Sequence, residues 1–203
     1  MSRILAIHNS HNASICETEA DKIIYFQEAE RLDKVKKTSN WIILLDKYKN
    51  NKFNKIIFVN AVDRSDKDKN VFLQILKEYN IECDELVYDI SHHFYHACAS
   101  YYNSGYDKSF VLIIDGHGIR DDKKLEIVSC YYFHKNKYKT IFKVYSSKDK
   151  EYVEGNNFFI NTLSLGHFYT MTKEILNYKE EGSVMGLSSY GKEIFTDKFF
   201  TEK

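Results

Sequence analysis

Three of the eight histidines of this 203-residue chain lie within five residues, in the segment "SHHFYHACASYY". In a helix, His92 and His96 would project from one face, one turn apart. Two imidazoles so placed can bind one transition-metal ion, provided that a further ligand comes from elsewhere. His93 lies one residue off that face. Zinc proteases with H-E-x-x-H have a glutamate at this position, so the segment does not indicate a zinc protease. The alternative is a helix whose histidines only satisfy hydrogen bonds.

A second candidate is the turn "DGHG", which follows the apolar run at residues 110–114. Asp115, Gly116 and Gly118 are the residues of interest. Backbone N–H groups in such a turn can approach a phosphate closely, with the aspartate beside its metal ion or water. The alternative is a plain β-turn, because Asp-Gly is a common turn signal.

Two polar segments near the N-terminus are weaker candidates. "IHNSHNAS" places His11 and Asn12 where the first strand ends, which is a common position for substrate-binding groups. "AERLDKVKK" places Arg31 and Lys36 where they could hold a phosphate or carboxylate. Solvated surface turns are the alternative for both segments.

The glycine-spaced segment "EEGSVMGLSSYG", residues 180–191, does not have the Walker pattern G-x-x-x-x-G-K-[ST]. We expect a loop there, with positive-φ positions that line a cleft. The chain also has no G-x-S-x-G nucleophile elbow and no Ser-His-Asp set.

The elements that must position these residues follow from hydrophobic periodicity. Three short strands predict an antiparallel meander at the N-terminus, and helices then alternate with β-branched strands. The helix at 69–81 is expected to bury Val71, Ile75, Leu76 and Tyr79. After residue 107 we predict a strand entering "DGHG", a hairpin about "HKNK", and a largely helical segment at 156–178.

Alternating strands and helices indicate an α/β fold. The strand that enters "DGHG" repeats the pattern of the first strand, which suggests two related lobes. We predict a first lobe at residues 1–106 that contains the H-x-x-x-H helix, and the first part of a second lobe at residues 107–203. The segment "NSGYDK" is the predicted boundary between them.

Composition excludes several classes of function. Lys plus Arg and Asp plus Glu are 29 each, so no basic surface for nucleic acid is indicated. The four cysteines are widely spaced and no signal peptide is recognisable, which favours a cytoplasmic protein with reduced thiols. No apolar run approaches the roughly 20 residues needed to cross a membrane.

Taken in order, "ILAIHNSHNAS", "AERLDKVKK", "SHHFYHACASYY", "FVLIIDGHG" and "EEGSVMGLSSYG" resemble the N-terminal part of the carbamoyltransferases of nodulation-factor and antibiotic biosynthesis. The resemblance covers residues 3 to about 192. It implies the actin and sugar-kinase fold: one ribonuclease-H-like lobe and the beginning of a second, related to the protein that transfers threonylcarbamoyl to tRNA.

The resemblance implies transfer of a carbamoyl group from carbamoyl-adenylate, made from ATP and carbamoyl phosphate, to the hydroxyl of a small-molecule acceptor. A sugar, an antibiotic scaffold and a modified nucleoside all remain open as acceptors. His92 and His96 would hold a divalent metal, iron or zinc, against the nucleotide phosphate. The other implied site residues are the phosphate turn Asp115, Gly116 and Gly118, the carbamoyl-site residues His11 and Lys36, and Asn12 and Arg31 in the same blocks.

The chain departs from the family pattern in several ways. Lys34 replaces an arginine, Ala6 a glycine and Ser189 a proline. Family members are more than twice as long, so the rest of the second lobe, a third metal ligand (an aspartate in relatives) and the adenylate-forming domain are expected to be missing. An exposed apolar edge is then expected, covered by a second polypeptide or by a homo-oligomer.

Three hypotheses follow from the motifs and these departures. The chain is the front portion of a carbamoyltransferase that is incomplete alone. Alternatively, it is a non-catalytic module of the family that binds nucleotide, metal or a partner. A third hypothesis, an actin-like ATPase or sugar kinase, explains "DGHG" but not "HHFYHA".

Overall fold

Two mixed β-sheets with helices packed on them make up the fold. The computed structural model describes residues 2–20, 22–60, 66–116, 118, 120–121, 124–147, 152–160 and 164–192. The end of the predicted second lobe, residues 193–203, therefore lies outside the described residues. No helix in the described part of the chain is long and apolar enough to span a membrane.

The first sheet has the strand order β3-β2-β1-β4-β5. Its strands are β1 (Arg3–His8), β2 (Ser14–Glu19), β3 (Lys22–Glu28), β4 (Lys52–Val59) and β5 (Glu82–Asp89). The first three form the predicted antiparallel meander, whereas β4 pairs parallel with both β1 and β5. This order and these strand directions define a ribonuclease-H-like lobe, as the resemblance implied.

Helical segments connect these strands, because parallel neighbours need crossover connections. They are α1 (Glu30–Asp33), the 3-10 helix Trp41–Tyr48 and α2 (Asp66–Glu78). Trp41, Phe58 and Phe72 form an aromatic cluster in the core, with the Phe58 and Phe72 ring centroids 3.8 Å apart. The predicted inward face of α2 was wrong at Val71, which is exposed, because the larger Phe72 is buried against Phe58 instead.

The second sheet has the order β10-β11-β9-β8-β6, with β7 paired to β8. Its strands are β6 (Lys108–Ile114), β7 (Arg120–Asp121), β8 (Lys124–His134), β9 (Lys137–Ser147), β10 (Tyr152–Glu154) and β11 (Asn157–Ile160). The predicted hairpin is the β8–β9 pair. The start of the predicted helical segment is instead β11, because it pairs with β9 and stacks Phe159 on Tyr145 and Tyr152.

One long helix, α3 (His92–Ser104), follows β5 and ends at Gly105, whose φ of +76° glycine adopts without strain. His93, Ala97 and Tyr101 form its buried face. Ala97 and Tyr101 pack with Val111 and Ile113 of β6. The predicted boundary puts this helix in the first lobe, whereas in the structure its apolar face is buried on the second sheet.

The last described elements are α4 (Leu165–Ile175), α5 (Glu181–Leu187) and the 3-10 helix Ser188–Tyr190. The Ser164 side chain caps α4 by accepting a hydrogen bond from the backbone N–H of His167. The expectation of a positive-φ loop at residues 180–191 was wrong, since these residues are largely helical and neither Gly182 nor Gly186 has positive φ. The glycines of this segment do not prevent a short helix when the rest of the fold packs against it.

Within the part of the chain that the structure describes, one face of β6 is apolar and exposed and its outer edge has no partner strand. β6 pairs with β8 on one side, and no other described strand pairs with its opposite side. Phe110, Leu112 and Ile114 alternate along β6 and are all exposed, on the face opposite Val111 and Ile113. An apolar row of this kind is a typical contact surface for further protein.

Gly166 in the first turn of α4 packs directly on the "DGHG" turn. A Cβ atom there would lie 2.6 Å from the Cα of Gly116. We expect Gly166→Ala to lower the free energy of unfolding by about 1–3 kcal/mol, because backbone must move to accommodate the methyl group. Urea denaturation followed by far-ultraviolet circular dichroism measures this.

Gly186→Ala in α5 is the matched control, because nothing lies within 4 Å of its Cβ position. That substitution should be neutral or stabilising by up to about 1 kcal/mol. Equal effects of the two substitutions would contradict the packing of α4 on the turn.

Candidate active site

The first turn of α3 is fixed by Asp89, the last residue of β5. The backbone N–H of Ser91 donates to Asp89 Oδ1 at 2.8 Å, and the Tyr95 hydroxyl donates to Oδ2 at 2.9 Å. Burial opposes ionisation of Asp89, but these hydrogen bonds hold the pKa of its carboxyl below the usual value. A charged carboxylate therefore anchors the helix N-terminus at the carboxyl end of a parallel strand.

Helix α3 presents different groups to its two sides. Residues four apart share a face, so His93, Ala97 and Tyr101 turn toward the second sheet. His92 and His96 lie on a neighbouring face, and their Nε2 atoms are 3.0 Å apart. The helix that was expected to carry two metal ligands therefore brings both imidazoles to one point.

Asp115 completes a cluster with these two histidines. Its Oδ2 lies 3.0 Å from His92 Nε2 and 3.8 Å from His96 Nε2. One ligand atom from each of the three residues lies within 4.8 Å of the others. Asp115 was predicted only as part of a phosphate turn, with the third ligand in the missing part of the second lobe; in the structure Asp115 itself lies beside the histidines.

When both histidines are neutral, His92 Nε2 cannot form hydrogen bonds to Asp115 and to His96 at the same time. If His92 Nε2 carries a hydrogen and donates it to Asp115, it has no lone pair to accept a hydrogen from His96. If it accepts from His96, it cannot donate to Asp115. The arrangement therefore needs either an extra proton or a cation among the three atoms.

Ionisation of the cluster favours a cation. The contact with His92 holds the pKa of Asp115 well below its usual value, against the effect of burial. Burial, together with the charge of His92, lowers the pKa of His96, so its imidazole is neutral at pH 7 with a lone pair available. The cluster thus offers the neutral Nε2 of His96 and the carboxylate of Asp115, with His92 Nε2 between them.

The distances also fit one ion. Ligand atoms at about 2.1 Å from a metal and at right angles to each other are about 3 Å apart, as are His92 Nε2 and both of its neighbours. Two histidines and one carboxylate with open positions are a ligand set for Fe²⁺ and also for Zn²⁺. Among the described residues, only His92, His96 and Asp115 form such a group.

The glycine turn after Asp115 is held by one hydrogen bond to the Asp115 side chain and one to the backbone of β8. The Gly116 N–H donates to Asp115 Oδ1 at 2.6 Å, and the Gly118 N–H donates to the Glu126 carbonyl at 2.6 Å. A Cβ atom on Gly118 would lie 2.7 Å from His93 Cδ2, whereas nothing lies within 4 Å of one on Gly116. Gly118 is therefore required by packing, and Gly116 leaves open space on the cleft.

Behind this turn lies a buried polar network that the sequence analysis did not identify. His93 Nδ1 is 2.9 Å from Ser129 Oγ, which donates to Glu126 Oε1 at 2.6 Å. Lys143 Nζ pairs with the same carboxylate oxygen at 2.7 Å. The side chains of His93 and Glu126 are 0% exposed. Since Ser129 gives its hydrogen to Glu126, His93 Nδ1 carries the hydrogen of the His93–Ser129 bond.

Two adjoining cavities meet at the histidine cluster. The larger, of about 900 Å³, is lined by His11, His92, Asp115, Gly116 and residues of α4 and α5. The smaller, of about 440 Å³, shares His11, His92 and Asp115 with it. His11 therefore lies at the junction, where its Nδ1 is 3.1 Å from Ser10 Oγ.

The smaller cavity adds His8, Asn12 and Val59 from the first sheet and its loops, and Tyr95 and His96 from α3. Asn12 has a φ of +61°, a conformation that asparagine tolerates better than most residues. His8 was not among the predicted site residues; burial lowers its pKa, so its imidazole is neutral at pH 7. In the sequence, His8 could have been identified as a site residue from its position at the end of the first strand, in the same segment as His11.

The two predicted basic residues lie away from these cavities. The Lys36 side chain is 74% exposed, with Glu180 at 3.9 Å, and the Arg31 side chain is 68% exposed and pairs with Glu28 and Glu30. Neither lines either cavity. The neighbouring Lys37 does line the larger cavity, where its ammonium pairs with Glu180 and Glu181.

No protein-family model matches this chain, and no curated protein matches its sequence. Solved structures do resemble it. A ROK family protein from Streptococcus pneumoniae, in complex with sucrose, has a TM-score of 0.45 at 10% identity, over 94% of this chain and 68% of that one. YeaZ from Pseudomonas aeruginosa has a TM-score of 0.40 at 14% identity, over 76% and 72%. Likenesses this distant carry no argument about function.

Metal binding tests the cluster directly. We expect the purified chain to bind one Fe²⁺ or Zn²⁺, and His92→Ala and His96→Ala each to weaken binding on the order of 100-fold or more, because each removes a ligand. Titration with Zn²⁺ against a chromophoric chelator measures the dissociation constant.

His134→Ala is the matched control, since His134 is exposed at the end of β8. It should bind metal as the unmodified chain does. Unchanged affinity in both α3 variants would show that the cluster is not a metal site.

The buried network yields a stability prediction. Lys143→Met removes the ammonium while Glu126 stays charged and buried, so we expect a loss of about 3–5 kcal/mol. Adding Glu126→Gln should recover much of this loss, because the buried group is then neutral. Urea denaturation of the unmodified chain and of these two variants measures the changes.

Lys139→Met on the same strand is the control, because Lys139 is exposed. Its effect should stay within about 0.5 kcal/mol. If Lys143→Met behaves like Lys139→Met, the ion pair with Glu126 does not support the turn.

Proposed function

We propose that this chain carries the transfer site of a carbamoyltransferase. In this proposal, the carbamoyl group of carbamoyl-adenylate passes to a hydroxyl of a small acceptor. The observation that carries the proposal is the convergence of His92, His96 and Asp115 with His11 at the junction of two cavities. The ordered motifs of the sequence support it independently.

The larger cavity suits the nucleotide portion of the donor. It has open space at Gly116, the N-terminal turn of α4 and the ammonium of Lys37 on its walls. Backbone N–H groups at a helix N-terminus and a nearby cation favour phosphate. Lys37 is paired with Glu180 and Glu181, so an incoming phosphate would compete with these carboxylates for it.

The proposed transfer is a substitution at the carbamoyl carbon. The acceptor oxygen forms a bond to that carbon, and the bond between the carbon and the phosphate oxygen breaks. The electron pair of the broken bond stays on the phosphate, so adenosine monophosphate leaves, and the acceptor hydroxyl loses its proton to a base.

His11 is the proposed base. It lines both cavities, so it can reach the hydroxyl of a molecule in one and the carbamoyl group of a molecule in the other. To accept a proton at Nε2, it must carry its own hydrogen at Nδ1, and Ser10 Oγ is in place to accept that hydrogen at 3.1 Å.

A metal held by His92, His96 and Asp115 would supply positive charge for the departing phosphate. The protein's own part is to hold these side chains in place. Asp115 is fixed by the Gly116 N–H, and α3 is fixed by Asp89 at its start and by its buried face on the second sheet.

A binding module without turnover is the second candidate. The position of Lys36 outside both cavities and the pairing of Lys37 with two glutamates favour it, because neither ammonium is placed beside His11 for a carbamoyl group. A module of this kind would bind metal and nucleotide but transfer no carbamoyl group. An actin-like ATPase or sugar kinase would use the turn at Asp115, but it has no need of His92 and His96.

Replacement of His11 separates these possibilities. We expect His11→Gln to bind a sulfamoyl analogue of carbamoyl-adenylate within about twofold of the unmodified chain. Carbamoyl transfer to an acceptor should fall about 10²- to 10⁴-fold, because general base catalysis is lost. Single-turnover transfer of radiolabelled carbamoyl measures the second quantity.

His167→Gln is a useful comparison, because His167 lines only the larger of the two cavities. If His11→Gln transfers at the unmodified rate, His11 is not the base. Tight binding of the analogue without transfer by the unmodified chain would favour the module.

A further inference from the structure

Three lysines and two glutamates form an ionic cluster at the wall of the larger cavity. Lys37 Nζ pairs with the Glu180 carboxylate and lies 3.4 Å from Glu181 Oε2. Lys36 Nζ lies 3.9 Å from Glu180 Oε1, and Lys173 Nζ lies 3.2 Å from Glu181 Oε1. Of these five residues, Lys37 and Glu181 line the cavity itself. The ionic cluster is therefore part of the proposed donor site.

The ionic cluster joins two parts of the fold. Lys36 and Lys37 follow α1 in the first lobe, whereas the two glutamates lie at the start of α5. The backbone N–H of Lys37 donates to Glu30 Oε2 at 3.2 Å, which ties its position to α1. In the part of the chain that the structure describes, the hydrogen bonds and ion pairs between α5 and the first lobe are those of these two lysines with the glutamates. Electrostatic attraction therefore holds α5 toward the first lobe.

Charge within the ionic cluster is not balanced. Three ammonium groups share two carboxylates, so one positive charge is left over. The hydrogen bond to Glu180 raises the pKa of Lys37, so its ammonium is charged at pH 7. If Lys37 turns to another anion, Glu180 keeps Lys36 as a partner and Glu181 keeps Lys173. Lys37 is thus the lysine that can leave without stranding a carboxylate.

The ion pairs of Lys37 are also weak enough to exchange. Its side chain is 43% exposed, and those of Glu180 and Glu181 are 29% and 34% exposed. Ion pairs this exposed contribute little, because water screens them. A phosphate carries more negative charge than a carboxylate and has three acceptor oxygens, so it is the stronger partner for an ammonium group.

We propose that Glu180 and Glu181 are internal anions that occupy Lys37 while the larger cavity is empty, and that the phosphate of a nucleotide displaces them. The exchange releases α5 from Lys37, so this wall of the cavity loosens as the nucleotide enters. The two glutamates thereby lower the affinity for nucleotide and make binding depend on the phosphate. The inference rests on the proposed function, since it describes the regulation of its donor cavity.

Nucleotide affinity with and without the glutamates tests the exchange. The probes are adenosine monophosphate and adenosine, which differ only by the phosphate, and isothermal titration calorimetry measures their dissociation constants. We expect Glu180→Gln/Glu181→Gln to bind adenosine monophosphate about three- to tenfold more tightly than the unmodified chain, because Lys37 is free beforehand. Its affinity for adenosine should change less than about twofold. Glu154→Gln/Glu174→Gln, at exposed positions of β10 and α4, removes the same charge and should change neither affinity.

Lys37→Met separates exchange from simple repulsion. Removal of two negative charges near the cavity would by itself favour an anion, and that gain would persist without Lys37. We expect Lys37→Met to weaken adenosine monophosphate binding about tenfold, and the two glutamine substitutions to change the affinity of this variant less than about twofold. A gain as large in the Lys37→Met chain as in the unmodified chain would overturn the exchange.

Hydrogen exchange in α5 tests the contact without a nucleotide. Mass spectrometry should show exchange about threefold faster or more in peptides that cover α5 of Lys37→Met, because the helix has lost its contact with the first lobe. Lys139→Met, exposed on β9, should leave it unchanged. Saturating adenosine monophosphate should likewise speed exchange in α5 of the unmodified chain. Unchanged or slower exchange in either case would overturn the release of α5.

These outcomes separate the exchange from the proposed function. Unchanged nucleotide affinity in Glu180→Gln/Glu181→Gln, with carbamoyl transfer by the unmodified chain, would overturn the exchange and leave the transfer standing. The expected gain in affinity and release of α5, without carbamoyl transfer, would support the exchange and count against the transferase. If neither the unmodified chain nor the glutamine variant binds adenosine monophosphate, the larger cavity is not a nucleotide site and the exchange is wrong.

Discussion

The packing of α3 on the second sheet sets the positions of His92 and His96 relative to Asp115. Ala97 and Tyr101 are buried against Val111 and Ile113, so the helix cannot rotate without exposing apolar surface. Asp89 holds its first turn at the end of β5. Because the glycine turn leaves the same strand, β6, that the helix packs on, the distance from His92 to Asp115 is fixed by this one interface.

The polar groups on the two sides of this interface differ: those beneath the glycine turn are buried, and those on the other side face the cleft. Glu126 is fully buried but has Lys143 and Ser129 as partners, and Ser129 in turn contacts His93. An unpaired charge at that position would be costly. The network therefore gives the buried Glu126 carboxylate its partners beneath Gly118, where the close approach of His93 leaves no room for a side chain.

The cleft side of the interface is different in kind. There, His92, His96 and Asp115 bring lone pairs together without enough hydrogens to satisfy them while the histidines are neutral. Neighbouring histidines thus have different surroundings: His93 is buried in the polar network, and His92 and His96 face the cleft, where they could hold the proposed cation. Lys37, paired with Glu180 and Glu181 at the edge of the larger cavity, gives that cavity an exchangeable cationic group.

The sequence by itself determined the strand–helix alternation, the N-terminal meander, the β8–β9 hairpin and the shared face of His92 and His96, because these follow from local periodicity. Tertiary structure decided the rest. Phe72 rather than Val71 is buried because Phe58 lies opposite it, and residues 157–160 form β11 because β9 offers them a partner. The approach of Asp115 to the histidines, the role of His93 and the exposure of Lys36 depend on contacts between residues far apart in the chain. Spacing cannot specify such contacts, because it fixes only the direction of a side chain relative to its own element.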